Sequence, residues 1–244
     1  MAQDPPDASD DDQRLVTFIV GPDHKEFSIH KSVVCARSPV FDKALNSEFK
    51  EGKERTIVLE ETEVGVFKVV MHWLYTSQLP RFRKTGFGAE KKEQVVKWGP
   101  SDLKTDEEGN TLELKWDYLM SNAYVFAYLY DICDLRKDIN SAFEKRFEYD
   151  SEDIPQPSSY PYNTTIIRVF ENVPYDQSSL CKTFALAFAK NWHPSAGTDT
   201  DTALFENLQM PPSFTHMALV QMARIRQEME QARSGKSGAR RVRW

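Results

Sequence analysis

Residues 15–41 read LVTFIVGPDHKEFSIHKSVVCARSPVF, and the order in which this stretch changes texture decides the fold. Leu15 to Val20 is β-branched and aromatic, Gly21-Pro22-Asp23 is turn chemistry, and Glu26 to His30 is a second short run. Two such runs around a Gly-Pro-Asp turn predict a β-hairpin. Helical texture follows from Lys31. Ser38-Pro39 then predicts a helix start, with Ser as the N-cap and Pro at the first helical position, where its missing N–H costs nothing. Val40, Phe41, Ala44 and Leu45 are the buried stripe expected behind it.

Working outward, Arg55-Thr56-Ile57-Val58-Leu59 predicts a third strand. Phe67, Val70, Met71 and Leu74 recur at i, i+3, i+4 and i+7, the period of an amphipathic helix, which should end near Tyr75-Thr76-Ser77 before Pro80. Residues 81–116 change character. They are rich in Lys, Glu, Gly and Asp, with aromatics at Phe82, Phe87, Trp98 and Trp116, and predict a long, mostly exposed insertion with one short strand at Leu112-Glu113-Leu114-Lys115. Helix is expected again over Ser121–Cys133, through Tyr124, Val125, Tyr128, Leu129 and Ile132. A further helix capped by Asp134 should bury Leu135, Ile139, Ala142 and Phe143.

The expected organisation is an acidic, disordered segment at 1–13, a domain at 14–150, a Pro- and Ser-rich linker at 151–162, a helical extension at 163–232 and a basic, disordered tail at 233–244. In the extension, Ile166, Ile167 and Phe170 mark one helix. Leu180, Phe184, Ala187 and Phe188 mark a second, and Ala218, Met222, Ile225 and Met229 a longer third.

Bulk composition narrows the function classes. The chain has 244 residues, 40% of them hydrophobic and 28% charged, which is ample for a packed core. A net charge of −6 argues against nucleic-acid binding by the protein as a whole. No run approaches the roughly 18 apolar residues of a membrane span, and the first residues have neither the basic start nor the apolar run of a secretory signal. Three dispersed cysteines, Cys35, Cys133 and Cys181, each expected as a small buried hydrophobe, suit a reducing compartment, so an intracellular protein of cytoplasm or nucleus is expected.

Catalytic patterns are missing from the sequence. HExxH, GxSxG and GxGxxG do not occur, and His24, His30, His72, His193 and His216 have no ligand spacing among themselves or with cysteine. Gly235-Lys236-Ser237 imitates the end of a phosphate-binding loop, but Glu230 stands where the upstream Gly is required. The expectation is a non-enzyme with no cofactor and no metal.

Four motifs in order carry a resemblance. They are Val16-Thr17-Phe18-Ile19-Val20 with Phe27-Ser28-Ile29-His30-Lys31-Ser32-Val33-Val34; Ser38-Pro39-Val40-Phe41; Ile57-Val58-Leu59 leading to Phe67-Lys68-Val69-Val70-Met71-His72-Trp73-Leu74-Tyr75-Thr76; and Ala123 through Leu135. In this arrangement residues 14–148 resemble the BTB/POZ domain, and the long insertion and irregular helical C-terminal part resemble fungal members. The resemblance implies an α+β fold, a small mixed sheet flanked by helical hairpins, here followed by an all-helical extension. It also implies a protein-interaction module, with His30, Lys31 and Tyr75 structural.

The family supplies two binding modes. One is recruitment of cullin-3 as a ubiquitin-ligase substrate adaptor or scaffold. Members that do so carry a hydrophobic-x-Glu triplet before the third strand, and Phe49-Lys50-Glu51 falls at that place. The structural reading is that Phe49 enters its own core and Glu51 is solvated. The other mode is an exchanged homodimer. Lys31 occupies the basic position of its charged pocket, but Leu15 stands where the family has Asp, which leaves a monomer or contact through another surface as alternatives. The alternative functional reading is a nuclear regulatory protein whose basic tail, Arg233, Lys236, Arg240, Arg241 and Arg243, contacts nucleic acid or an import receptor.

Overall fold

The computed structural model describes residues 14–48, 50–80, 112–148, 160–191 and 210–239. It divides into two compact units, 1–139 and 140–244. The division falls inside one helix and not at the expected boundary near residue 150.

In the first unit, β1 (Leu15–Val20) and β2 (Lys25–His30) form the expected antiparallel hairpin, with Phe18 opposite Phe27. Gly21 begins the turn at φ 74, a backbone region that costs an L side chain but not glycine, and its N–H donates to the Leu59 carbonyl at 3.0 Å. Three short helices follow: α1 (Lys31–Arg37), α2 (Pro39–Leu45) and α3 (Lys50–Glu54). They return the chain to β3 (Thr56–Leu59), which pairs parallel with β1, so the sheet order is β2-β1-β3. Strand alternation sends Val16, Phe18, Val20, Ile29, Ile57 and Leu59 into the core.

Helix α4 (Val64–Thr76) buries Val66, Phe67, Val69, Val70, Trp73 and Leu74, and ends where Ser77 turns left-handed at φ 52. Phe18 meets Phe41 edge-on at 5.3 Å and Phe67 at 5.2 Å, so the three aromatics that anchor separate motifs share one core. Helix α5 (Leu112–Leu129) adds Phe126 to the same cluster, 6.1 Å from Phe67. Helix α6 (Cys133–Glu148) is tied to α4 by the Trp73 indole, whose N–H donates to Asp138 Oδ2 at 2.8 Å.

Several expectations are corrected. Residues 112–115 open α5 and are not a strand. Trp116 is buried rather than exposed, its indole N–H donating to the Pro80 carbonyl at 2.9 Å, so the two flanks of the insertion meet at its base. Val40 faces solvent at 40% exposure instead of joining the stripe of α2, and Leu129 is likewise exposed. The linker expected at 151–162 lies outside the described residues except for its last three.

The second unit contains the last part of α6, then α7 (Asn163–Asn172), α8 (Ser179–Asn191) and α9 (Pro212–Ala239). Its core is again aromatic. Phe143 meets Phe184 edge-on at 4.9 Å, and Phe214 lies 5.3 Å from both Phe170 and Phe188. The region expected as a disordered tail from 233 begins in fact within α9, which continues to Ala239.

Candidate protein-interaction surface

The segment that carries the hydrophobic-x-Glu triplet is built by close backbone contact. Helix α2 is started by Ser38, whose side chain accepts from the Phe41 amide at 3.1 Å. It ends at Asn46, whose amide side chain donates to Asp42 Oδ1 at 2.7 Å, while Ser47 Oγ donates to the Ala44 carbonyl at 2.8 Å. Helix α3 then packs so tightly on this turn that a Cβ on Gly52 would lie 2.0 Å from the Ser47 carbonyl oxygen. Any side chain here would force the backbone of the turn to move, so glycine is strongly favoured.

Glu51 is exposed in the first turn of α3, beside the exposed pair Lys50–Glu54, 3.8 Å apart. Phe49 lies outside the described residues. Arg55 follows at φ 52 and passes the chain into β3. The sequence alone does not state the glycine requirement. The signal available there was Gly52 inside a run of Lys and Glu with good helix propensity, where glycine otherwise weakens a helix.

At the same end of the sheet, on the β1–β2 side, the structure brings Leu15, His30 and Lys31 together. Leu15 pairs with His30 across β1 and β2, and the Lys31 amide donates to the Arg14 carbonyl at 2.8 Å. The side chain of Lys31 is half-buried, and Leu15, at the position of the missing Asp, is 50% exposed. The Tyr75 hydroxyl accepts from the His30 amide at 3.0 Å and lies 2.8 Å from His30 Nδ1. This bridge fastens the start of α1 to the end of α4.

Of the expected basic tail, Arg233 is exposed on α9 and Lys236 lies within the same helix, as does the whole Gly235-Lys236-Ser237 run. Arg240, Arg241 and Arg243 lie outside the described residues. The three cysteines do not share one environment. Cys181 is buried, and desolvation pushes its thiol up to about 11; Cys35 is half-buried; Cys133, against expectation, is exposed at the start of α6 with an Arg136 guanidinium nitrogen 3.0 Å from its sulfur. Among the described residues no group of three or more His, Cys, Asp or Glu could hold a metal ion, and no helix is long and apolar enough to cross a membrane.

A three-stranded mixed sheet is wrapped by short helices, with the polar residues of α3 turned outward. Residues 11–87 match the BTB/POZ domain family, and this part of the chain is a BTB/POZ domain. Over 79 residues the chain is 32% identical to TD and POZ domain-containing protein 3 of Mus musculus, covering 32% of this chain and 22% of that protein. Over 69 residues it is 36% identical to Kelch-like protein 40a of Danio rerio, covering 28% of this chain and 11% of that protein. The chain thus spans about a fifth or less of the length of these two relatives. The shared aromatic core extends the folded unit beyond the matched segment, because Phe126 and Tyr130 pack on Phe41 at 6.3 Å and 4.5 Å.

Proposed function

We propose that the chain is an adaptor or scaffold whose BTB/POZ domain recruits cullin-3 through the turn and helix that precede β3, with Phe49 as the apolar anchor and Glu51 as the carboxylate that sets register. The observation that carries this reading is Gly52 seated against the Ser47 carbonyl, which fixes α3 with Glu51 outward. A rigid platform loses little conformational entropy on docking, and a buried aromatic with a nearby charge is a common division of labour at interfaces. The likeness to a Kelch-like protein supports the same direction. The helical second unit, and the insertion whose base is closed by Pro80 and Trp116, are the parts available for holding a client.

Co-purification of the full chain with cullin-3 tests the assignment. The wild-type chain should retain cullin-3, and Phe49→Ala with Glu51→Ala should lose it while circular dichroism is unchanged. Equal retention by the variant would remove the triplet from the interface.

A further inference from the structure

Helix α9 is longer than anything it packs against. It has 28 residues, about 42 Å at 1.5 Å per residue, whereas α7 and α8 have 10 and 13. Phe214 and Ala218 are buried in the core of the second unit, but from Leu219 to Arg233 no residue is buried. The apolar stripe nevertheless continues. Ala218, Met222, Ile225, Met229 and Ala232 advance by alternating steps of four and three, the seam of a two-stranded coiled coil. Met222 and Ile225 are partly covered, whereas Met229 is 60% exposed, with Leu219, also 60% exposed, flanking the seam. The other faces carry Arg224, Gln227, Glu230 and Gln231.

We propose that this projecting half of α9 pairs in parallel with α9 of a second copy of the chain. The charges beside the seam choose the occupant and its direction. Glu228 precedes the seam residue Met229, and Arg233 follows Ala232. In a parallel pair these positions face one another across the interface, giving two symmetry-related Glu228–Arg233 attractions. An antiparallel pair would instead set Arg226 against Arg233, like charge on like. A partner bearing one sign of charge would meet both signs here, because Arg226 and Glu230 already pair within the helix at 3.3 Å. The seam is short and built from Met, Ala and a single Ile, so the association is weak. Its helix is already formed, because its first turns are anchored in the core, and the cost of nucleating it is therefore not charged to association. This contact is separate from the BTB/POZ surface and does not rest on cullin binding.

The test uses the full chain with Cys133→Ser, which removes the exposed thiol. Adding Met229→Cys at the seam and exposing the protein to oxidised glutathione should give a covalent dimer on a non-reducing gel, because parallel packing sets each residue 229 against its counterpart. Gln227→Cys, on the outer face, should give at most about a tenth as much. Glu228→Arg should lower the Met229→Cys yield, by roughly tenfold if its two repulsive pairs each cost a fraction of a kcal/mol. Adding Arg233→Glu to that variant should restore it. Equal cross-linking at 227 and 229, no cross-linking at 229, or a charge swap that fails to restore the yield would overturn the proposal. All these positions are exposed, so circular dichroism should show unchanged helicity.

Discussion

The Ser38 hydroxyl donates to the backbone carbonyl of Tyr130, 92 residues further along the chain, while its oxygen accepts from the Phe41 amide. One buried side chain thus starts α2 and also satisfies the carbonyl at the end of α5, tying the two together beneath the stacked rings of Phe41 and Tyr130.

Ser38→Ala removes the cap and leaves the part-buried Tyr130 carbonyl without its donor. A lost N-cap costs about 1 kcal/mol and an unsatisfied buried acceptor about 1–3 kcal/mol more. The variant should lose about 2–4 kcal/mol in a denaturant titration. A loss under about 0.5 kcal/mol would show that water replaces both bonds.

Gly52→Ala drives a methyl into the Ser47 carbonyl, and the turn must move. The expected result is a lower melting temperature together with weakened cullin-3 retention, because Glu51 moves with α3. By contrast, Gly21→Ala meets only ordinary contacts, the nearest at 3.5 Å, and suffers from its positive φ alone. It should cost about 1–2 kcal/mol and leave partner binding unaffected. Denaturation and co-purification of both variants separate the two effects.

Thiol chemistry should sort the cysteines. Iodoacetamide at neutral pH is expected to modify Cys133 first, Cys35 more slowly and Cys181 only when the protein unfolds, since burial both blocks access and raises the Cys181 thiol to about 11. Peptide mass spectrometry over a time course reads the order. Early labelling of Cys181 would contradict its burial.

Stability should fall in mild acid through His72. Partial burial holds its imidazole below the ordinary value of 6.5, so the unfolded chain takes up the proton first. Its contribution is fully present above pH 6.5 and is lost as the pH falls from there toward the lowered folded-state value. The difference in unfolding free energy between wild type and His72→Gln, followed from pH 7.5 to 5, should shrink on acidification. A constant difference would sink the assignment.

The fold was largely legible because its signals are local. The Gly21 turn, the Ser38-Pro39 start and the 3.6-residue period through Phe67, Val70 and Leu74 each act within a few residues, and together they place Phe18, Phe41 and Phe67 in one core. The misread positions depend on distant partners or on ambiguous periods. Leu112-Glu113-Leu114-Lys115 alternates as a strand does, yet it also fits the first turn of a helix, and the burial of Trp116 depends on Pro80 across the insertion. Val40 and Leu129 are exposed because a helix of the right period still has edges that the core does not cover. For the candidate site, the charge and position of Glu51 were readable, but the constraint on Gly52 was not, since it arises from how closely α3 approaches the Ser47 carbonyl.

The most direct test of the central claim is amide hydrogen exchange of the full chain with and without cullin-3. The account predicts slowed exchange concentrated in residues 46–59, the turn, α3 and β3, with the Glu51→Ala variant showing less protection there. Unchanged exchange throughout that stretch at saturating cullin-3, or protection confined to other elements, would contradict it.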